Sequence, residues 1–197
     1  ATVKPHATIP SVMAAAKAVL NESQIENGVA VIDLGGATTS VAVFEEGDLQ
    51  YVGVVPKGGV NITNDLAIGL KTDPEVAEKV KLQHAAAIAR GEPHKVSIKH
   101  EKETLFFDQA DVDEIVEARL EEIFELVNKE LKKAGRAGQL PSGAVLTGGT
   151  ANLKGMAEYA KSQLGVAVRI GKPHGFGGVA DEIDKPHFAA AVGLMLV

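Results

Sequence analysis

The sequence predicts an α/β domain with a mixed five-stranded sheet and an inserted lobe of helices and a hairpin. Three segments rich in β-branched residues, at 28–33, 38–44 and 49–55, follow one another with short glycine-containing turns, as in an antiparallel meander. After residue 138 the pattern alternates strand, helix, strand and helix. The block between these two parts is largely helical in character, so we expect an insertion at 72–138 between sheet-forming parts at 1–71 and 139–197.

Each element has its own local signal. PSVMAAAKAVL at 10–20 predicts a helix with Ser11 as its N-cap. After the three strands, VNITNDLAIGL at 60–70 predicts a second helix. DPEVAEKVKLQHAAAIARG predicts a third, which Asp73 caps, Pro74 begins and Gly91 ends.

The rest of the chain continues with a hairpin and the strongest helical pattern. HKVSIKHEKETLFF at 94–107 alternates weakly and predicts the hairpin, and residues 111–135 predict a long amphipathic helix with a box-like start at Asp111 and Glu114. Its apolar face comprises Val112, Ile115, Val116, Leu120, Ile123, Phe124, Val127 and Leu131. The closing part of the chain is predicted to contain a strand in SGAVLTGG at 142–149 and a helix at 151–165. A second strand is predicted at 166–170 and a second helix at 185–197.

The composition excludes several classes of function. The net charge of −6 arises from interspersed acids and bases, which argues against nucleic acid as a partner. The chain has no cysteine, which excludes disulfides and thiolate metal sites, and its six histidines share no metal-ligand spacing. No secretory signal is visible, and the apolar run at 188–197 is about half as long as a membrane span, so we expect no direct membrane insertion.

The segment VIDLGGATTSVAVF at 31–44 is a candidate phosphate loop. Asp33 ends one apolar run, and glycines and threonines separate it from the next. Backbone amides and hydroxyls in such a loop can contact phosphate oxygens, and the carboxylate can hold hydrated Mg²⁺. A hairpin whose glycines merely permit positive φ explains the same residues. The local sequence leaves both interpretations open.

Two further glycine pairs precede predicted helical segments. In LTGGTANLKGM at 146–156, the glycines allow a flat ligand to approach the backbone, and a helix starting near Asn152 would turn its N-terminus toward it; a tight turn is the alternative. In PKGGVNITNDLAIGL at 56–70, Asn61 and Thr63 can cap the helix or contact a ligand.

Charged residues on two predicted helices are open to structural and functional interpretations. Glu78 and Lys81 lie three residues apart, which suits an exposed ion pair or contact with a ribose or base. Arg119 sits beside the apolar face of the long helix, where it can snorkel or capture an acidic peptide. The basic cluster at the end of this helix, which can also complement the helix dipole, contains Lys129, Lys132, Lys133 and Arg136.

The three glycine loops in this order, with a helix-rich insertion between the second and third, resemble the second half of the actin-like ATPase superfamily. DLGGATTSVAVF resembles its second phosphate loop, LTGGTANLKGM its adenosine motif and AAVGLML its closing helix. AEKVKLQHA and IVEARLEEIFELV make the chain most similar to the FtsA family of bacterial cell-division adaptors, from about residue 14 to 196. The resemblance implies an RNase-H-like subdomain, 2A, carrying the insertion as subdomain 2B.

The resemblance also implies roles for individual residues. Asp33 would be the catalytic carboxylate and would position Mg²⁺ through water, and Arg119 would lie near the binding site for the FtsZ C-terminal tail, with Lys129, Lys132 and Lys133 as neighbours. The other residues expected around ATP are Gly35, Gly36, Thr38, Thr39, Gly58, Gly59, Asn61, Asp65, Glu78, Lys81, Gly148, Gly149 and Thr150.

Two departures from the family pattern weaken the expectation of catalysis. Ala37 stands where the family has a third loop glycine, and Ser40 stands where it has an acid. The family's first phosphate loop is another DxG motif at the end of a strand, in the N-terminal half of those proteins. The present chain contains no second motif of this kind. We therefore expect one wall of an ATP site, no enzymatic activity of the chain alone, and at most weak ATPase activity in an intact protein.

The functional expectation is the C-terminal half of a cell-division adaptor. Such a protein would bind ATP and Mg²⁺, dock the FtsZ tail, self-associate into filaments, and act in the cytoplasm at the inner face of the membrane at the division site. The alternative to this adaptor is half of a scaffold similar to PilM or MreB, or half of an actin-superfamily kinase or phosphatase.

Overall fold

The computed structural model describes residues 8–89, 91, 94–175 and 183–196. The strands are β1 (Val29–Leu34), β2 (Thr39–Glu45), β3 (Asp48–Val55), β4 (Lys95–His100), β5 (Glu103–Asp108), β6 (Ala144–Thr147) and β7 (Val168–Ile170). Five of them form one sheet in the order β3-β2-β1-β6-β7. Its first three strands are antiparallel, and β1, β6 and β7 are parallel. The predicted mixed five-stranded sheet is therefore confirmed.

Helices cover both faces of this sheet, and β4 and β5 form a separate antiparallel hairpin. The α-helices are α1 (Ser11–Val19), α2 (Glu22–Asn27), α3 (Gly59–Gly69), α4 (Pro74–His84), α5 (Gln109–Lys133), α6 (Met156–Leu164) and α7 (Ala189–Met195). Short 3-10 turns occupy Gly149–Asn152 and Pro186–Phe188. Among the described residues, none of the helices combines the length and the apolar content that crossing a bilayer requires.

β1 supplies both halves of the core because it is central and buried on both faces. Ala30, Ile32 and Leu34 join the apolar cluster under α3, α4, α5 and α6, whereas Val29 and Val31 join the cluster under α1 and α7. Side chains of a strand alternate between the two faces of its sheet, so this continuous apolar run separates into two packing surfaces. Asp33 is the one acidic residue in the strand.

The long helix α5 has the apolar face that its sequence predicts. Seven of the eight predicted residues are fully buried, and Ile115 is partly buried. Phe124 packs edge-on against Tyr159 of α6, with ring centroids 5.6 Å apart. The same apolar cluster contains residues of α5 and of the main sheet, so a shared core crosses the division predicted at 72–138, which stays a prediction.

The predicted end of α4 at Gly91 is wrong, because the helix ends at His84. Ala85 is extended, and Ala86 forms a parallel bridge with Lys154. The amide of Ala87 donates to the Lys154 carbonyl at 2.8 Å. This pairing satisfies backbone groups that would otherwise continue the helix.

Several predicted helix starts also differ in the structure. Ser11 is the first residue of α1 rather than its N-cap, which is Pro10. α5 starts two residues before Asp111, after Asp108. Asp73 occupies the N-cap position of α4 without a side-chain capping bond.

One short helix was not predicted, and one predicted helix is divided in two in the structure. α2 was not predicted, although Asn21 and Gln24 form a reciprocal capping box at its start. The predicted helix at 151–165 splits into the 3-10 turn and α6, since Gly155 adopts a left-handed conformation between them. Residues 1–7, 176–182 and Val197, which belong to the predicted sheet-forming parts, lie outside the described residues.

Close packing of α1 against α7 predicts a strong effect of Gly193→Ala. A methyl group at this position would overlap the carbonyl of Ala14, and overpacking of this kind costs about 1–3 kcal/mol of unfolding free energy. Urea unfolding would measure the loss. Leu194→Ala is the neighbouring control, because Leu194 is exposed and its loss should change stability by less than about 0.5 kcal/mol. Equal stabilities of the two variants would contradict this packing.

Candidate functional site

Three glycine-containing loops meet at the carboxyl end of β1. The Gly35 carbonyl accepts a hydrogen bond from the Gly59 amide at 2.9 Å and from the Thr150 hydroxyl at 3.1 Å. The Gly36 carbonyl accepts from the Val60 amide at 2.8 Å. The β1–β2 turn is thereby joined to the start of α3 and to the turn that follows β6.

Two glycines are required by this close approach. A Cβ at Gly58 would lie 2.5 Å from the Gly36 oxygen. At Gly148, φ is +88°, and a Cβ would lie 2.7 Å from the Asp33 carboxylate. A larger residue at either position would push the loops apart. Both glycines therefore allow the loops to pack closely against one another.

Two other glycines border open space. Counting only atoms of the described residues, a Cβ at Gly149 would meet nothing within 4 Å, and one at Gly36 would meet only Val60 at 3.8 Å. The backbone at these positions is consequently accessible from a cleft of about 410 Å³. Its lining comprises Gly36, Gly59, Val60, Glu78, Lys81, Leu82, Gln83, Ala85, Gly149, Thr150, Asn152, Leu153 and Lys154.

The cleft brings together six residues that the sequence predicts for the ATP site. They are Gly36, Gly59, Glu78, Lys81, Gly149 and Thr150. The other seven lining residues were not predicted, because most are apolar or occupy a chain turn whose position depends on the Ala86–Lys154 bridge. Leu82 follows Lys81 directly in the sequence, and the structure leaves its side chain 73% exposed at the cleft.

Glu78 and Lys81 form a polar network at the cleft with Thr63 of α3. The ammonium group of Lys81 donates to Glu78 Oε2 at 2.7 Å, to Thr63 Oγ1 at 2.8 Å and to the Gly59 carbonyl at 3.1 Å. The Thr63 hydroxyl donates to Glu78 Oε2 at 2.5 Å. Burial raises the pKa of Glu78, but hydrogen bonds from Lys81 and Thr63 and the Lys81 charge outweigh it, so the pKa is lowered. Glu78 is therefore held as a carboxylate beside a fixed ammonium group.

Asp33 lies behind the loops and is half-buried. Burial raises its pKa, and side-chain hydrogen bonds with Thr147 and Ser11 only partly oppose this effect. The Thr147 hydroxyl donates to Asp33 Oδ1 at 3.2 Å. None of the ion pairs between described residues includes Asp33, so its carboxylate is short of compensating positive charge.

Some predicted site residues have structural contacts instead of lining the cleft. Thr39 is fully buried and its hydroxyl donates to the Lys57 carbonyl at 2.9 Å. Asn61 accepts the Gly58 amide at 2.9 Å, as a capping residue does. Thr38 is exposed on the β1–β2 turn. Within the described part of the chain, the backbone amides of residues 36–38 donate to no other backbone carbonyl.

Asp65 lies away from the cleft, in a bidentate ion pair with Arg119. Its two oxygens accept from Arg119 Nε at 2.5 Å and from the terminal nitrogen Nη2 at 2.9 Å. The other terminal nitrogen, Nη1, donates to Glu122, and Lys57 Nζ lies 3.5 Å from the second oxygen of Glu122. The hydrogen bond to Asp65 raises the pKa of Arg119 despite partial burial. These residues tie α3 to α5.

A second cavity of about 330 Å³ lies beside this ion pair. Its lining comprises Asp65, Ile68, Gly69, Ile115, Ala118, Arg119 and Glu122. The predicted partner residues Lys129, Lys132 and Lys133 are exposed further along α5, about 15–20 Å from Arg119 by helical rise. Lys133 pairs with Glu130 at 2.6 Å. The structure therefore does not bring these lysines into contact with Arg119.

The comparisons with known proteins decide the family. The family described as "Cell division protein FtsA" matches residues 30–193. The chain belongs to the FtsA family. The cell division protein FtsA of Pseudomonas aeruginosa is 36% identical over 93% of this chain, and the chain covers 45% of that relative. The chain thus spans less than half the length of this relative.

Solved structures show that this FtsA-family chain has the actin-like fold. MreB5 of Spiroplasma citri bound to ADP superposes with a TM-score of 0.76 at 16% identity, covering 94% of this chain and 57% of that one. A MamK double helical filament gives a TM-score of 0.70 at 18% identity, covering 94% and 57%. At these identities the likeness concerns the fold.

The two departures from the FtsA loop pattern have different structural consequences. Ala37 is exposed and has no positive φ, so the turn forms without a third glycine. Ser40 lies directly opposite Asp33 in the antiparallel register of β1 and β2. An acid at position 40 would place a second carboxylate beside Asp33, so Ser40 leaves Asp33 as the only carboxylate of this pair.

The contrast between the adjacent glycines 148 and 149 predicts a matched pair of outcomes. Gly148→Ala should cost about 2 kcal/mol or more of unfolding free energy, because it combines positive φ with a backbone clash. Gly149→Ala should cost less than about 1 kcal/mol, since it meets open space. Chemical denaturation of both variants checks this. A Gly148 variant as stable as the Gly149 variant would show that the loops are not closely packed.

The raised pKa of Asp33 predicts that Asp33→Asn stabilises the chain at neutral pH. Because the folded-state pKa lies above the unfolded value, the carboxylate destabilises the folded state once pH exceeds the folded-state pKa. The advantage of the Asn variant should be present at pH 7, shrink as pH falls through the folded-state pKa, and vanish below about pH 3, where Asp33 is protonated in both states. Urea midpoints at both pH values test this, with the exposed Asp48→Asn as control. A lower midpoint for Asp33→Asn at pH 7 would contradict it.

Proposed function

We propose that the cleft forms one wall of an ATP site in a longer FtsA-family protein. The observation that carries this proposal is the convergence of three glycine loops around one cavity that also contains a fixed ammonium group. A nucleotide offers a flat base, a polar ribose and charged phosphates, and the cleft has apolar, polar and cationic lining to match them. The nucleotide in the MreB5 structure supports the proposal by analogy of fold.

The exposed backbone amides of the β1–β2 turn are the proposed phosphate contacts. Among the described residues these amides have no backbone acceptor, whereas the Gly59 and Val60 amides at the start of α3 already donate to Gly35 and Gly36. Gly36, Ala37 and Thr38 would therefore hold phosphate oxygens through consecutive N–H groups. The start of α3 would serve as structural support for them.

Asp33 fits a role beside Mg²⁺ through water. Magnesium usually retains several waters and takes one or two protein carboxylates together with phosphate oxygens. The described residues contain no cluster of three or more potential metal ligands, which fits a metal held mainly by the nucleotide. The cation would supply the positive charge that Asp33 lacks. Hydrolysis would be slow, because Ser40 replaces the family's second acid.

The cleft can be tested with a fluorescent ATP analogue. One wall should bind weakly, with a dissociation constant well above micromolar, because the chain spans less than half the length of its FtsA relative and the proposed second wall would lie in the remainder. Lys81→Ala should weaken that binding at least about threefold, since it removes the ammonium group of the cleft. Lys161→Ala, an exposed lysine of α6, is the matched control. Submicromolar binding by the wild-type chain would contradict the proposal that the cleft is half of a site. If Lys81→Ala left the affinity for the analogue unchanged, the assignment of this cleft as the nucleotide site would be contradicted.

The α3–α5 surface around Arg119 is the proposed docking site for the FtsZ C-terminal tail. Arg119 offers a guanidinium group beside the aliphatic Ile68, Ile115 and Ala118, which suits an acidic and apolar peptide. Lys129, Lys132 and Lys133 would attract the peptide from a distance and speed its encounter. In the intact protein this contact would link the division ring to the inner face of the membrane, with the ATP-bound halves favouring filaments.

Peptide docking is tested by titrating a labelled FtsZ tail peptide against the chain. Arg119→Ala should weaken binding at least about tenfold, because a charge-assisted contact contributes roughly 1.5–3 kcal/mol. Arg136→Ala removes another ion-paired arginine, three residues after the end of α5, and should leave affinity nearly unchanged. Absence of saturable binding by the folded wild-type chain would contradict the docking proposal.

A further inference from the structure

We propose that Glu122 occupies, in the free chain, the carboxylate position that an acidic partner peptide takes on docking. The position lies between the guanidinium group of Arg119 and the ammonium group of Lys57. This inference rests on the proposed docking of an acidic peptide at the α3–α5 surface. It adds an internal competitor, Glu122, and a partner contact, Lys57, to that surface.

Glu122 already bridges two cations. One of its oxygens accepts a hydrogen bond from Arg119 Nη1, and its other oxygen lies 3.5 Å from Lys57 Nζ. A carboxylate held between an arginine and a lysine has the geometry expected for a captured acidic ligand. A peptide carboxylate would meet both cations only after Glu122 withdraws.

Asp65 is the less suitable residue to withdraw. It makes two hydrogen bonds to Arg119, at 2.5 and 2.9 Å, and its side chain is 28% exposed. Glu122 makes one hydrogen bond to Arg119, and its side chain is 42% exposed. Asp65 therefore positions the guanidinium group, whereas Glu122 can rotate into solvent at small cost.

The surroundings indicate which peptide would replace Glu122. Beside the charged group, Ile68, Ile115 and Ala118 form an aliphatic floor, and Ile68 is 77% exposed. An extended segment with a carboxylate next to an aliphatic side chain would place each group against its complement. A segment without the carboxylate would leave Arg119 paired with Glu122 and gain little.

The decisive variant is Glu122→Gln, which keeps the side-chain shape and removes the competing charge. We expect it to bind the labelled acidic peptide about three- to tenfold more tightly than Glu125→Gln, its matched control. Glu125 is exposed on the same helix, so both variants change the net charge of the chain equally. Lys57→Gln should weaken binding at least about threefold. Urea unfolding of each variant verifies that affinity is compared between folded chains.

A second peptide separates displacement from general electrostatics. This second peptide has the same sequence with Asn and Gln in place of Asp and Glu. For it, Glu122→Gln should bind no more tightly than Glu125→Gln. If the acidic peptide binds the wild-type chain but Glu122→Gln binds no more tightly than Glu125→Gln, the internal competitor is refuted and docking stands. If neither the wild-type chain nor Glu122→Gln binds the peptide, docking and this inference both fail.

Discussion

The carbonyl oxygen of Gly35 is the point on which the arrangement of both surfaces depends. It accepts hydrogen bonds from the first amide of α3 and from the hydroxyl of Thr150. These bonds connect the β1–β2 turn to two segments that are distant from it in sequence. Gly58 makes the contact possible because a side chain there would strike the Gly35–Gly36 backbone. Loss of this contact would leave the start of α3 free to move away from the sheet.

α3 carries this constraint from the cleft to the opposite surface. Thr63 faces the network of Glu78 and Lys81, and Asp65, two residues later, faces Arg119 of α5. Residues two apart lie about 200° apart around a helix, so the same helix supplies both surfaces. A rotation of α3 would therefore change the cleft and the Arg119 ion pair together.

Much of the fold could be predicted from local pattern, and the exceptions have physical causes. The strands, the hairpin and the apolar face of α5 follow from period and turn residues alone. The end of α4 at His84 does not, since the pairing of Ala86 with Lys154 competes with further helix. Likewise, Ser11 has good capping chemistry, but Pro10 takes the N-cap position and Ser11 becomes the first residue of α1.

The sequence by itself determined which residue types could build a nucleotide cleft and in what order the loops occur, because glycine pairs and charged residues are visible without coordinates. Only the tertiary structure decided their division of labour. Gly58 and Gly148 pack against backbone while Gly36 and Gly149 face open space, and Asp65 joins Arg119 instead of the cleft. Identical residue types separate in this way because their roles depend on contacts between distant segments, which no local pattern encodes.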